Sequence, residues 1–186
     1  MRPLVPFSIL LVCILCAGCA SPYGKAAISP EFADWMLTLN GTSERNLTLA
    51  EVMALPSVEG NGYAVSTVGI RYGPYRCRGV DLQELASLVG GIPNGGSVWI
   101  SAPDGYLWVF DDMQLRGEGF ITFDENLKEI PSPPLRVILM YEQDGHYLTY
   151  DEGGPLRIAI ISDEPGIVTE GSAWVKWVHR IDVHGT

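Results

Sequence analysis

Few side chains in this 186-residue chain are suited to metal or nucleophile chemistry. Of its four cysteines, Cys13 and Cys16 fall in an apolar N-terminal run and Cys19 follows it. Cys77 is the one thiol left for a folded domain, so no disulfide can form within that domain. Cys77 reads either as a metal ligand or as a small buried hydrophobe. Its neighbours Arg76 and Arg78 would lower its pKa if they approached the sulfur, but in a strand they point to the opposite face. His146, His179 and His184 show no zinc-like spacing. The acid pairs Asp111-Asp112 and Asp163-Glu164 lack the further ligands of a calcium loop. There is no nucleophile elbow and no phosphate loop.

Two cations stand in a more suggestive place. Glu152-Gly153-Gly154-Pro155 is a turn leading into an apolar strand, Leu156 to Ile161, that carries Arg157. A glycine-bearing loop follows, and then Trp174 to Val183 alternates as a strand. That alternation puts Val175, Trp177 and His179 on one face and Trp174, Lys176 and Val178 on the other. Arg157 and Lys176, with backbone N–H groups from the loop, make an anion site. The plainer reading of the same residues is a core hairpin with solvated charges.

The run Gly153-Gly154-Pro155-Leu156-Arg157, followed by Val175-Lys176-Trp177-Val178, resembles the closing motif of the sulfite-oxidase-like, molybdopterin-binding oxidoreductase domain. Shorter matches fall in family order: Thr48 to Pro56, Arg78-Gly79-Val80-Asp81-Leu82, Ala102 to Tyr106, and Tyr141 to Gly145. The resemblance implies an α+β, mostly strand fold, with molybdopterin as cofactor and Arg157 and Lys176 as its contacts. It also implies a molybdenum-ligating cysteine near Ser66 to Val68, where the chain has no thiol. Glu152 stands where the family has a histidine, and Ala173 where it has a basic residue. Cys77 is then the only candidate for a displaced metal ligand.

The elements that must position these residues follow from local signals. Thr48-Leu49-Ala50-Glu51 is a capping box that opens a short helix stopped by Pro56. Gly60 and Gly62 read as a loop, and Tyr63 to Ile70 as a strand. Asp81 starts a second helix that ends at Gly90-Gly91. Ser97 to Ala102 and Tyr106 to Phe110 form a hairpin around Asp104-Gly105, and Asp111 begins a helical turn. Leu135 to Tyr141 is a buried strand, and Tyr147 to Tyr150 pairs back to it. The whole reads as one α+β domain, residues 34–186, with two or more short helices.

Residues 1–18 read as a secretory signal, and Gly18-Cys19 resembles a lipoprotein cleavage site with Cys19 as the acylated residue. Residues 19–33 then form a linker. The expected location is extracytoplasmic, tethered to the membrane through the N-terminal lipid, or secreted. With 22 acidic against 12 basic residues, net −10, the chain is not a nucleic-acid binder. Three functions follow, in this order: a non-catalytic domain binding a small ligand or partner, a working molybdenum-pterin oxidoreductase, or an unrelated surface adhesion module.

Overall fold

A computed structural model describes residues 28–185. The signal segment and the lipid-attachment residue Cys19 lie outside the described residues. In chain order the elements are β1 (Met36–Asn40), β2 (Glu44–Thr48), α1 (Leu49–Ala54), β3 (Val58–Val65), β4 (Arg71–Asp81) and α2 (Leu82–Ser87). Then come β5 (Ser97–Ser101), β6 (Leu107–Asp111), α3 (Asp112–Leu115), β7 (Thr122–Phe123), β8 (Glu129–Ile130), β9 (Leu135–Gln143) and β10 (His146–Tyr147). The chain finishes with β11 (Arg157–Ser162), β12 (Thr169–Glu170) and β13 (Arg180–His184). The expected α+β, mostly strand architecture is what forms.

One sheet runs β2-β1-β13-β5-β6, with β13 parallel to β1 and antiparallel to β5. In the second, β9 pairs with β11, β11 with β3, β3 with β4, and β4 back with β9, so four strands close on one another. The apolar runs β9 and β11 are buried almost throughout. That is why they read as continuous hydrophobic stretches instead of alternating ones. Phe32, placed in the linker by sequence, is buried in the core and meets Trp35 edge to face, so packing begins before residue 34.

The caps form largely as read. Thr48 and Glu51 close a capping box on α1, and Asp111 and Gln114 close another on α3. Asp81 caps α2 through the Gln83 N–H.

Two expectations are corrected. Gly60 and Gly62 are not a loop; they lie inside β3. A Cβ on Gly62 would stand 2.6 Å from the Cys77 sulfur and 2.7 Å from the Trp174 ring. Glycine is there to let three segments meet, not to turn the chain. Trp174 to Val183 is not one strand either. A 3₁₀ turn at Gly171–Ala173 precedes it, Trp177 takes a left-handed φ of 53°, and regular pairing starts only at Arg180. Trp174, Val175 and Val178 are therefore all buried, which no strict alternation allows.

Gly62→Ala is expected to overpack the Cys77–Trp174 contact and cost about 1–3 kcal/mol. A urea midpoint for that variant equal to the parent's would show that the neighbours yield freely.

Candidate ligand cleft

The turn Gly153-Gly154-Pro155 is bound to the segment 175–178 by backbone hydrogen bonds. The Trp177 N–H donates to Gly153 O at 2.8 Å, the Val178 N–H to Leu156 O at 2.8 Å, and the Ile158 N–H to Val175 O at 2.8 Å. Gly153 has φ of 92°, and a Cβ there would collide with the Lys176 side chain. The two segments are thereby locked side by side, with Arg157 and Lys176 opening on one cleft of about 490 Å³. Its size falls in the range of small-molecule sites. The sequence-named cations are brought together.

Neither cation meets a carboxylate among the described residues. Arg157 Nη1 donates to the Glu152 backbone carbonyl at 3.0 Å, and Lys176 Nζ to that of Asp151 at 3.3 Å. Each also lies over an indole: Arg157 over Trp174 at 5.4 Å and Lys176 over Trp177 at 5.6 Å. Burial pulls Arg157 below the ordinary arginine value, against the opposing pull of Tyr75, Cys77 and Glu152. Burial and then the Arg157 charge pull Lys176 below the ordinary lysine value. The Arg157 charge acts against Lys176, while Asp151 and Glu152 nearby offset the two cations in part without an ion pair.

Glu152 is turned to other work. Its carboxylate accepts from the Thr149 N–H at 2.9 Å and the Thr149 hydroxyl at 2.8 Å, and pairs with His146 Nε2 at 3.0 Å. Partial burial resists its ionisation, but these partners together hold it below the usual carboxylate value.

Ser66 and Thr67, where the resemblance places the metal-ligating cysteine, line the cleft. Ser66 Oγ accepts the Ile70 N–H at 3.0 Å within the turn between β3 and β4. Cys77 is fully buried on β4, behind the residues that line the cleft, and packed toward Gly62. Burial, reinforced by the Asp144 charge, pushes its thiol up to about 12, against Arg157 and Arg76. Ala173 is buried. His146 reaches only Glu152, while His179 Nδ1 lies 3.0 Å from Ser101 O, apart from the cleft.

Sequence reasoning did not name Tyr72, Tyr75, Tyr106 or Gln143 as site residues, nor the acids Asp104 and Asp151, all of which line the cleft. The Tyr106 hydroxyl donates to Ser172 O at 2.7 Å, so the β5–β6 hairpin is fastened to the 3₁₀ turn across the cleft rim. Gln143 ends a buried strand, and its Oε1 and Arg157 Nε are buried without a hydrogen-bond partner. Tyr106 and Gln143 fall in segments that resemble the family, but nothing local marks their role; the pairing of β4 and β9 and the β5–β6 hairpin bring the set together.

The sequence matches the oxidoreductase molybdopterin binding domain over residues 24–186. The chain belongs to this family. Its fold resembles that of the sulfane dehydrogenase SoxCD from Paracoccus pantotrophus, with a TM-score of 0.62 and 18% identity over 88% of this chain. The match takes in 41% of that longer chain. At this identity the likeness is one of fold. No curated protein sequence matches. Family membership removes the unrelated-adhesion reading and makes molybdopterin the cofactor to test against the cleft. The aromatic walls, the paired cations and the two orphaned polar atoms suit the organic, anionic part of such a group.

Cys77 is expected to resist iodoacetamide in the folded protein at pH 8 and to react once the protein is unfolded. Fast alkylation without unfolding would place the sulfur at the surface. Glu152 adds stability above the unfolded carboxylate pKa, and this is lost as pH falls through its lowered folded value. The stability gap between parent and Glu152→Gln should therefore shrink on acidification. A gap that widened towards low pH would reverse the sign.

Proposed function

We propose that this protein is an extracytoplasmic, lipid-anchored module whose molybdopterin-binding-type domain holds a small anionic ligand without molybdenum turnover. The observation that carries this is the pair Arg157 and Lys176, hydrogen-bonded to backbone carbonyls and salt-bridged to no carboxylate among the described residues, inside an aromatic cleft. An anion placed between them relieves their repulsion and gains charge-assisted hydrogen bonds. Arg157 supplies a planar fork and Lys176 a point charge. Trp174 and Trp177 supply flat apolar walls.

The donor set argues against a thiolate-held metal. Hydroxyls stand at Ser66 and Thr67, and the Cys77 sulfur is occluded. A hydroxyl is a hard, weakly acidic ligand and does not replace a soft thiolate. Among the described residues no cluster of three or more His, Cys, Asp or Glu is arranged for a metal. The residues thus fit the pterin and not its metal, and no redox step is assigned to them. The retained cation pair of the family favours the second reading, an active molybdenum-pterin oxidoreductase. Anchoring is supported by the signal-like start and Cys19 alone.

Metal analysis and pterin fluorescence on protein purified from its own host separate the two readings. We expect no stoichiometric molybdenum; one molybdenum per chain would establish the enzyme. Inorganic phosphate titrated against tryptophan fluorescence should bind the parent. Lys176→Ala should weaken it about tenfold, equivalent to ~1.4 kcal/mol. Affinity should also fall as pH rises through the lowered Lys176 value, since the cation is then lost. Unchanged affinity in both Lys176→Ala and Arg157→Ala would remove the anion site.

A further inference from the structure

We propose that the mouth of the cleft docks on the bilayer surface, with the turn between β3 and β4 as its leading edge. This rests on the anchored, extracytoplasmic reading above. Of the eleven exposed large apolar residues among the described residues, five stand on or beside this opening, while Trp99, Leu107 and Val109 lie together on the β5–β6 hairpin. Val68 and Ile70, 78% and 55% exposed, stand on the turn whose Ser66 and Thr67 line the cleft. Tyr72 and Tyr106 line it and are exposed as well. Exposed Tyr150 packs 5.3 Å from Trp177, another lining residue.

The turn is held in shape. The Ser66 N–H donates to Ile70 O at 2.8 Å, and the Gly69 N–H to Ser66 O at 2.9 Å. Val68 and Ile70 are thus displayed on an ordered loop. Two aliphatic tips flanked by tyrosines and a tryptophan match the chemistry of the headgroup boundary, where rings with one polar end settle. From Ala64 to Ile70 there is no charge, in a chain with 22 acids. The turn brings no charge of its own to the lipid, and the acids Asp104, Asp151 and Glu152 lie in the cleft lining behind it.

The tether supplies the occupant. Ile28 lies nine residues beyond Cys19, a span of at most roughly 30 Å. So short a leash keeps the domain at the membrane and raises the effective concentration of lipid at its surface. The leash alone chooses no face; the apolar rim does. Docked this way, the cleft opens on the headgroup layer instead of bulk water.

The test uses full-length protein purified from membranes and reconstituted in phosphatidylcholine vesicles containing nitroxide-labelled lipid. One sample carries a fluorophore on Val68→Cys. Another carries it on Glu44→Cys, on β2 at the far edge of the five-stranded sheet from β6. Mass spectrometry reports acylation of Cys19. The position-68 dye should be quenched several-fold more than the position-44 dye, and Ile70→Asp in the first sample should erase the difference. Equal quenching in acylated protein overturns docking while leaving the anchor intact. Equal quenching together with a cross-linked dimer through position 68 assigns the rim to a second copy and also overturns it. Selective quenching in protein lacking an acyl chain keeps the docking and removes the anchor.

Discussion

The structure depends on the backbone hydrogen bonds that strap Gly153 to Ile158 against Val175 to Val178. Only Arg157 and Ile158 of these residues belong to a regular strand; the rest of both segments is irregular. The Trp177 N–H reaches Gly153 only because Trp177 adopts a left-handed backbone and Gly153 has no side chain to block Lys176. Those two departures from strand geometry place a guanidinium and an ammonium side by side. Had the last segment continued as a regular strand, Lys176 would have been carried past the Gly-Gly-Pro turn.

Electrostatics at this point run against the rest of the molecule. The chain is strongly acidic, yet carboxylates are kept off its two central cations. Glu152 is nearest in sequence to Arg157, but Thr149 and His146 occupy its carboxylate, and only its carbonyl faces the arginine. Backbone carbonyls orient a cation without neutralising it. The charge therefore remains available, at a desolvation cost borne by the surrounding packing. A salt bridge in the same place would have been simpler to build and would have left nothing for a ligand.

Much of this was legible in residue types. The capping box at Thr48 depends on three-residue spacing and forms where that spacing puts it. Asp81 caps α2 through Gln83 without the reciprocal bond from Glu84 that a box needs, and the box at Asp111 reads in sequence only as a helical turn. The apolar runs of β9 and β11 announced strands buried on both faces. Arg157 and Lys176 stood out because each sits in a motif. What stayed hidden depends on distant partners. Gly62 looks like a turn residue until Cys77 and Trp174, far along the chain, are packed against it. The alternation after Trp174 has the periodicity of a strand, but burial of Trp174, Val175 and Val178 together outweighs it. Tyr75, Gln143 and Tyr106 reach the cleft from two strands and a hairpin turn far apart in the chain.

The position of β13 has a consequence for biogenesis. The last strand of the described residues lies in the middle of its sheet, with β1 on one side and β5 on the other. Until it arrives, the β2–β1 hairpin and the β5–β6 hairpin have no shared neighbour to join them. The indole of Trp35 likewise waits for the carbonyl of Val178. A nascent chain emerging N-terminus first can make its local hairpins early, but this layer closes only once β13 has been made.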